Sequence, residues 1–315
     1  MARPDARTRA APRFEPRREL GSTGFRATVL GIGDVADRSV PLETCVATVR
    51  RAMDAGLNVI DTAPGYEDGF SEEIVGRALR GRREGLFVID KIDHPALPVG
   101  PQVEASLGRL GLETVDLFVF HGVSAMDVWQ RLAGPGGGME QLDACRRAGA
   151  CRWRGLSSHH PEVLRAAIES GLCDVVLFAV GPFSDPRYAD EILPLARRRG
   201  VAAVCFKTFG AGKLLGDTSG YGRPLDPRPR GKFSSGGAPD PAAPAQPHLA
   251  VAECLHYTLT CDPDVALVGL SFPNEQDAAF EAAASFAPLG AARMADIRRR
   301  AAKAVEGKGP CWWNP

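Results

Sequence analysis

Beyond its first residues the chain alternates short apolar runs with longer amphipathic segments, eight times over. Each run stops abruptly at polar or Gly positions, a segment with helical spacing follows, and Gly often precedes the next run. The runs are Thr28–Gly33, Leu57–Asp61, Leu86–Lys91, Val115–His121, Arg152–Ser157, Asp174–Val180, Val201–Lys207 and Val265–Leu270. The helical segments are Leu42–Ala55, Ser71–Leu79, Pro101–Leu110, Met139–Ala148, Pro161–Ser170, Ala189–Arg199, Leu249–Thr260 and Asn274–Phe286. Apolar runs without in–out alternation suit strands covered on both faces, hence a parallel sheet. Eight strand–helix units in about 250 residues predict an α/β fold closed as a (β/α)8 TIM barrel. An open doubly wound sheet competes, but it normally carries Gly-x-Gly-x-x-Gly after its first strand. Here Gly31-Ile32-Gly33-Asp34-Val35-Ala36 lacks the last Gly.

The flanks break the rhythm. Arg18–Leu20 and Ala27–Leu30 around Gly-Ser-Thr-Gly predict an N-terminal β-hairpin. Ala291–Val305 predicts a basic C-terminal helix, with Trp312 and Trp313 packing back on the barrel. Residues 1–16 read as a disordered tail and 17–315 as one domain. Within it, 216–247 holds seven prolines and six glycines and reads as a long flexible loop after strand seven.

Composition narrows the field. Hydrophobic residues make up 44% and charged residues 24%, as in ordinary globular chains. Lys plus Arg equals Asp plus Glu at 38 each, so no global field draws in nucleic acid or an anionic membrane. The Arg-rich start lacks the apolar stretch of a signal peptide. No window of 18 apolar residues exists to span a bilayer. The eight cysteines lack Cys-x-x-Cys spacing, and several sit inside apolar runs. Reduced thiols in a cytoplasmic protein are expected. The adjacent His159 and His160 come with no carboxylate cluster, so no metal site is expected. Gly134–Gly138 lacks a following Gly-Lys-Ser/Thr and reads as a turn.

Chemistry gathers at the predicted strand ends. Strand two ends in Asp61, strand three in Lys91 and strand four in His121, and the loop after strand two carries Tyr66. In a barrel these converge on one mouth. Hydride addition to a carbonyl builds negative charge on oxygen, which needs donors and finally a proton. A free phenol, with pKa about 10, is a sluggish acid at neutral pH. A neighbouring Lys91 is expected to lower it, with Asp61 holding the amine and His121 donating to the same oxygen. Singly, each residue reads equally well as a turn cap, a solvated strand end or a scaffold histidine. Jointly, that reading requires four coincidences.

These residues lie in motifs that resemble the aldo-keto reductase superfamily. They are Asp61-Thr62-Ala63-Pro64-Gly65-Tyr66 followed by Ser71-Glu72-Glu73 and Gly76-Arg77-Ala78-Leu79, then Phe87–Lys91, then Val115–Gly122. The opening Arg18–Gly24 is similar to that family's hairpin, and the resemblance runs from about residue 17 to about 290. It implies a catalytic tetrad of Asp61, Tyr66, Lys91 and His121, with Tyr66 as proton donor. It also implies NADP or NAD bound without a Rossmann fold, NADP being favoured on family habit. The cofactor set it implies is Ser157, Ser158, Phe206, Lys207, Gly210, Gly269, Ser271 and Gln276. Two departures stand out: Ser158 replaces the usual Asn, and Leu177 stands where many members have Gln. In Gly269–Gln276 neither Leu270 nor Gln276 supplies the cation that a 2′-phosphate wants; Lys207, Lys213, Arg223, Arg228 and Arg230 are the possible substitutes.

The expected activity is NAD(P)H-linked reduction of an aldehyde or ketone, or oxidation of the matching alcohol or sugar. The expected partner is a small molecule, with no nucleic acid and no membrane, and a monomer is the family default. Trp129, Phe183, Tyr188 and Tyr221 are candidate pocket residues. A non-catalytic NAD(P)-binding regulatory subunit of the same fold is the alternative, and a metal-dependent or lyase barrel is a third.

Overall fold

In the computed structural model, residues 13–38, 40–215, 247–269, 273–311 and 313–314 are described. Two short strands, β1 (Arg18–Glu19) and β2 (Arg26–Ala27), pair antiparallel as the expected hairpin. Eight further strands follow: β3 (Leu30–Ile32), β4 (Val59–Asp61), β5 (Phe87–Ile92), β6 (Val115–Phe120), β7 (Cys151–Ser157), β8 (Val175–Ala179), β9 (Ala202–Phe206) and β10 (Val265–Val268). All pair in parallel, and β10 joins both β9 and β3, which closes the barrel.

Burial on both faces explains why the runs do not alternate. Phe87 and Ile89 point into the lumen with Leu117, Val119, Leu177 and Val204, whereas Val88, Phe118 and Val176 join the layer beneath the helices. The hairpin closes the lower end: Leu20 and Ala27 are fully buried against the lumen cluster. At Gly21, with φ +52°, a Cβ would come within 2.5 Å of the Ala202 nitrogen, so only glycine lets the turn seat there.

The helices are α1 (Leu42–Asp54), α2 (Phe70–Leu79), α3 (Val99–Leu110), α4 (Met126–Ala133), α5 (Gly138–Arg147), α6 (Pro161–Glu169), α7 (Leu193–Arg199), α8 (Val251–Thr260), α9 (Pro273–Ala284) and α10 (Ala291–Val305). Gly200, left-handed at φ 69°, ends α7 and turns the chain into β9. The segment expected as one helix over Ala189–Arg199 instead begins with a π-helical turn at Tyr188–Ile192. Pro194, near the start of α7, has no N–H to continue an α ladder into the preceding turn.

Three expectations need correction. Helix α4 was not foreseen, and it takes Trp129 into the outer core at 4% exposure. Tyr188 is fully buried beside Phe178, so neither aromatic lines a pocket; Tyr221 lies outside the described residues. Residues 13–16, read as the end of a disordered tail, are instead described and held against the barrel. The Phe14 amide donates to the Ala55 carbonyl at 2.7 Å, and its ring meets Phe280 edge-on at 5.2 Å, because an apolar ring there covers the gap between α1 and α9. Of the 216–247 loop, all but Pro247 lies outside the described residues. Trp313 is fully buried and donates to the Phe183 carbonyl at 3.1 Å, whereas Trp312 is outside the described residues. No helix among the described residues is long and apolar enough to cross a membrane.

Candidate active site

Parallel pairing brings the C-terminal ends of β4, β5 and β6 side by side, and with them the side chains of Asp61, Lys91 and His121. The Lys91 ammonium donates to both Asp61 oxygens and to the Thr62 carbonyl, each at 2.7 Å. The ammonium is thus held on one side by carboxylate and carbonyl oxygens, and it also bonds to Tyr66. The pair is buried, with side-chain exposures of 2% and 5%. Burial alone would pull the amine's pKa down, but the charges of Asp61 and Tyr66 outweigh it and hold Lys91 above its ordinary value.

Tyr66 lies in the loop after β4. Its amide donates to Ala63 and its carbonyl accepts from Ser71, while Ser71 and Thr62 share a hydroxyl bond at 2.8 Å. The next three residues, Glu67, Asp68 and Gly69, all have positive φ, at 52°, 51° and 79°. Arg38 clamps this strained turn by donating to the Glu67 and Asp68 carbonyls. The turn sets the Tyr66 ring 4.4 Å from the Lys91 nitrogen and edge-on to His121, with ring centres 5.6 Å apart.

The phenol departs from expectation. Burial pushes the Tyr66 pKa up, and the nearby ammonium offsets only part of that. Lys91 does pull the value down as expected, but desolvation outweighs it, with the charges of Asp61 and Asp34 adding to the rise. The ring therefore keeps its proton at neutral pH.

Sequence reasoning missed two carboxylates. Asp93, two residues beyond Lys91, lies 2.5 Å from His121 Nδ1. Burial would raise its pKa, yet the bond and the charge of His121 hold it below the usual carboxylate range. Asp34, just past β3, accepts from the Ala36 amide at 2.9 Å, and burial lifts its pKa to about 7 against the pull of Lys91. A charged residue closing an apolar strand was the available signal for Asp34. Asp93 had none, since its partner is 28 residues away.

The residues expected to hold a cofactor separate into two groups. Ser157 and Ser158 are buried at the end of β7, and Ser158 Oγ accepts from the His160 amide at 3.0 Å. Phe206 closes β9 half-buried, edge-on to His159 at 5.4 Å. Burial, then the charge of Lys207, lowers the His159 pKa to about 4, so that ring is neutral. Lys207 and Gly210 follow with φ 68° and 55°, and Gly269 faces Gly33 across the closing seam, its amide 3.4 Å from where a Gly33 Cβ would stand.

Gln276 does not join them. It is fully buried, donates to the Thr48 carbonyl at 2.8 Å and accepts from Arg51 at 2.9 Å, so it fastens α9 to α1. Ser271 lies outside the described residues. Of the proposed substitute cations, Lys213 donates to the Pro310 carbonyl at 2.6 Å, and Arg223, Arg228 and Arg230 are outside the described residues. No three His, Cys, Asp or Glu side chains gather as a metal-binding group among the described residues.

The nicotinamide end of a dinucleotide fits what is present: a half-buried aromatic face at Phe206, hydroxyls at Ser157 and Ser158, and a neutral His159.

Comparison with known proteins identifies the family and the fold. The sequence model of the Aldo/keto reductase family matches residues 28–279. An NADH-specific methylglyoxal reductase of Escherichia coli (strain K12) is 27% identical over 226 residues, covering 62% of this chain and 68% of its own. A pyridoxal 4-dehydrogenase of Microbacterium luteolum is 28% identical over 258 residues, covering 65% and 73%. In structure, the holo form of an aldo-keto reductase from Bacillus halodurans superposes with a TM-score of 0.64 at 22% identity, over 94% of this chain and 97% of that one. An aldo-keto reductase from Klebsiella pneumoniae in complex with NADPH gives 0.63 at 20% identity, over 92% and 94%.

Proposed function

Because the chain belongs to the aldo/keto reductase family, we propose that it reduces the carbonyl of a small aldehyde or ketone with NAD(P)H, Tyr66 giving the proton. The observation that carries this reading is the meeting of Asp61, Lys91, Tyr66 and His121 at one end of the barrel, with Lys91 held by Asp61 and Thr62 beneath the phenol. The dihydronicotinamide, when bound, would supply a hydride, a proton with two electrons, to the carbonyl carbon.

The protein's own groups handle the oxygen. Negative charge grows on it as the C=O π bond breaks, and the Tyr66 O–H proton moves to it, completing an alcohol. Lys91 stabilises the phenolate left behind, and Asp61 keeps that ammonium in place. His121, edge-on to Tyr66, orients the same oxygen. A phenol that burial keeps protonated is suited to this direction. Ser157, Ser158 and Phe206 hold the nicotinamide.

The adenosine end favours NADH. In the stretch 269–276 that resembles the family's 2′-phosphate segment, no residue is cationic. The nearby Arg51 is occupied by Gln276 and Asp277. Among the described residues of that stretch and at Arg51, a phosphate dianion finds no charge-assisted partner, and one relative is named as NADH-specific. The relatives' names make methylglyoxal and pyridoxal the first substrates to try.

The test titrates NADH and NADPH separately against tryptophan fluorescence, then follows cofactor oxidation with a panel of aldehydes and ketones. Quenching by NADH at lower concentration than by NADPH, with turnover of at least one carbonyl, is expected. No quenching by either cofactor would overturn the reading.

A further inference from the structure

We propose that Asp93 is a positioning residue for this reaction, fixing which nitrogen of His121 carries the proton and so tying the hydrogen-bonding role of His121 to its charge. The geometry is direct. Oδ1 of Asp93 lies 2.5 Å from Nδ1 of His121, and the side chains are 17% and 28% exposed. An ionised carboxylate only accepts hydrogen bonds, so Nδ1 must be the protonated nitrogen. Nε2, across the ring, is left for a substrate oxygen.

A consequence follows for the chemistry. The neutral ring has one N–H, and Asp93 takes it; Nε2 is then a bare lone pair that can accept but not donate. Donation to a carbonyl oxygen requires a second proton, giving an imidazolium–carboxylate pair.

Asp93 also reaches the proton donor's loop. The Gly65 amide helps stabilise its carboxylate, and a Cβ at position 65 would stand 2.6 Å from Asp93 Oδ2. One carboxylate thus links the end of β5, the end of β6 and the turn that carries Tyr66. The other groups around the imidazole are Lys91 and Asp61, already bonded to each other, the protonated Tyr66 and the neutral His159.

The inference rests on carbonyl reduction for its kinetic arm only. In 15N-histidine-labelled protein, with His121 assigned by its loss in His121→Gln, the neutral imidazole is expected to carry its proton on Nδ1. In Asp93→Asn the population is expected to move toward Nε2–H, since the amide can donate to Nδ1. This readout needs no substrate, so it stands even if no carbonyl is turned over. For a turned-over carbonyl, Asp93→Asn is expected to lower kcat about a hundredfold, at the low end of acid–base contributions, with cofactor quenching unchanged. In a His121→Gln background the same substitution is expected to add nothing. Asp93→Glu, which keeps the charge, is expected to restore part of the rate. A neutral wild-type ring protonated on Nε2, or an Asp93→Asn effect that persists without His121, would overturn the proposal.

Discussion

Two arcs of the barrel mouth use charge differently. At the ends of β4, β5 and β6 the charged side chains bind one another: Lys91 with Asp61, and His121 with Asp93. Across the mouth, after β9, lysines bind the chain itself. Lys213 donates to the Pro310 carbonyl, Lys308 donates to the Lys213 and Pro247 carbonyls, and Lys207 and Lys213 each lie 5.6 Å from the Trp313 ring. The first arc holds preset acid–base pairs around a phenol. The second knits the C-terminal segment to the loop after β9. Lysines in both arcs look alike in sequence; only their neighbours separate chemistry from scaffolding.

The contrast breaks hardest at Lys91. Lys91→Met leaves Asp61 buried without its counter-ion, which typically costs about 3–5 kcal/mol. Urea unfolding is expected to show that loss, with turnover gone. Adding Asp61→Leu is expected to recover much of the stability and none of the activity.

Trp313→Ala probes the second arc. Emptying the site of a fully buried indole is expected to cost about 3 kcal/mol, the low end for a large aromatic because the segment can detach locally. Proteolysis near the C-terminus is expected to speed up, while kcat on a saturating carbonyl changes far less than in Lys91→Met.

A pH-dependent effect belongs to Asp34. Its folded pKa of about 7 lies above the unfolded value of about 3.9. The folded state thus holds this proton more tightly. Its contribution to stability is full below about pH 4 and lost as pH rises through about 7. Asp34→Asn is expected to flatten the decline in unfolding free energy across that window, as urea titrations at its two ends would show.

The legible parts of this molecule were those where one side chain contradicts its local pattern. Asp61, Lys91 and His121 each interrupt an apolar run, so their place at a strand end could be read directly. Helix α4 was hidden because only Trp129 and Leu132 of its eight residues are buried, too few for a clear period. That Gln276 bonds the neighbouring helix α1 was not legible, because a helix start can face the cleft or its neighbour and only packing decides. The direction of the Tyr66 shift depends on desolvation, which no spacing encodes. Asp93 escaped notice for the same reason as its partner's tautomer: both are properties of a contact, not of a run.

The central claim is that Tyr66 gives the proton. Single-turnover hydride transfer by Tyr66→Phe, alongside cofactor titration of the same protein, tests it most directly. The account predicts a rate at least about a thousandfold lower with cofactor affinity unchanged; transfer at the wild-type rate would contradict it.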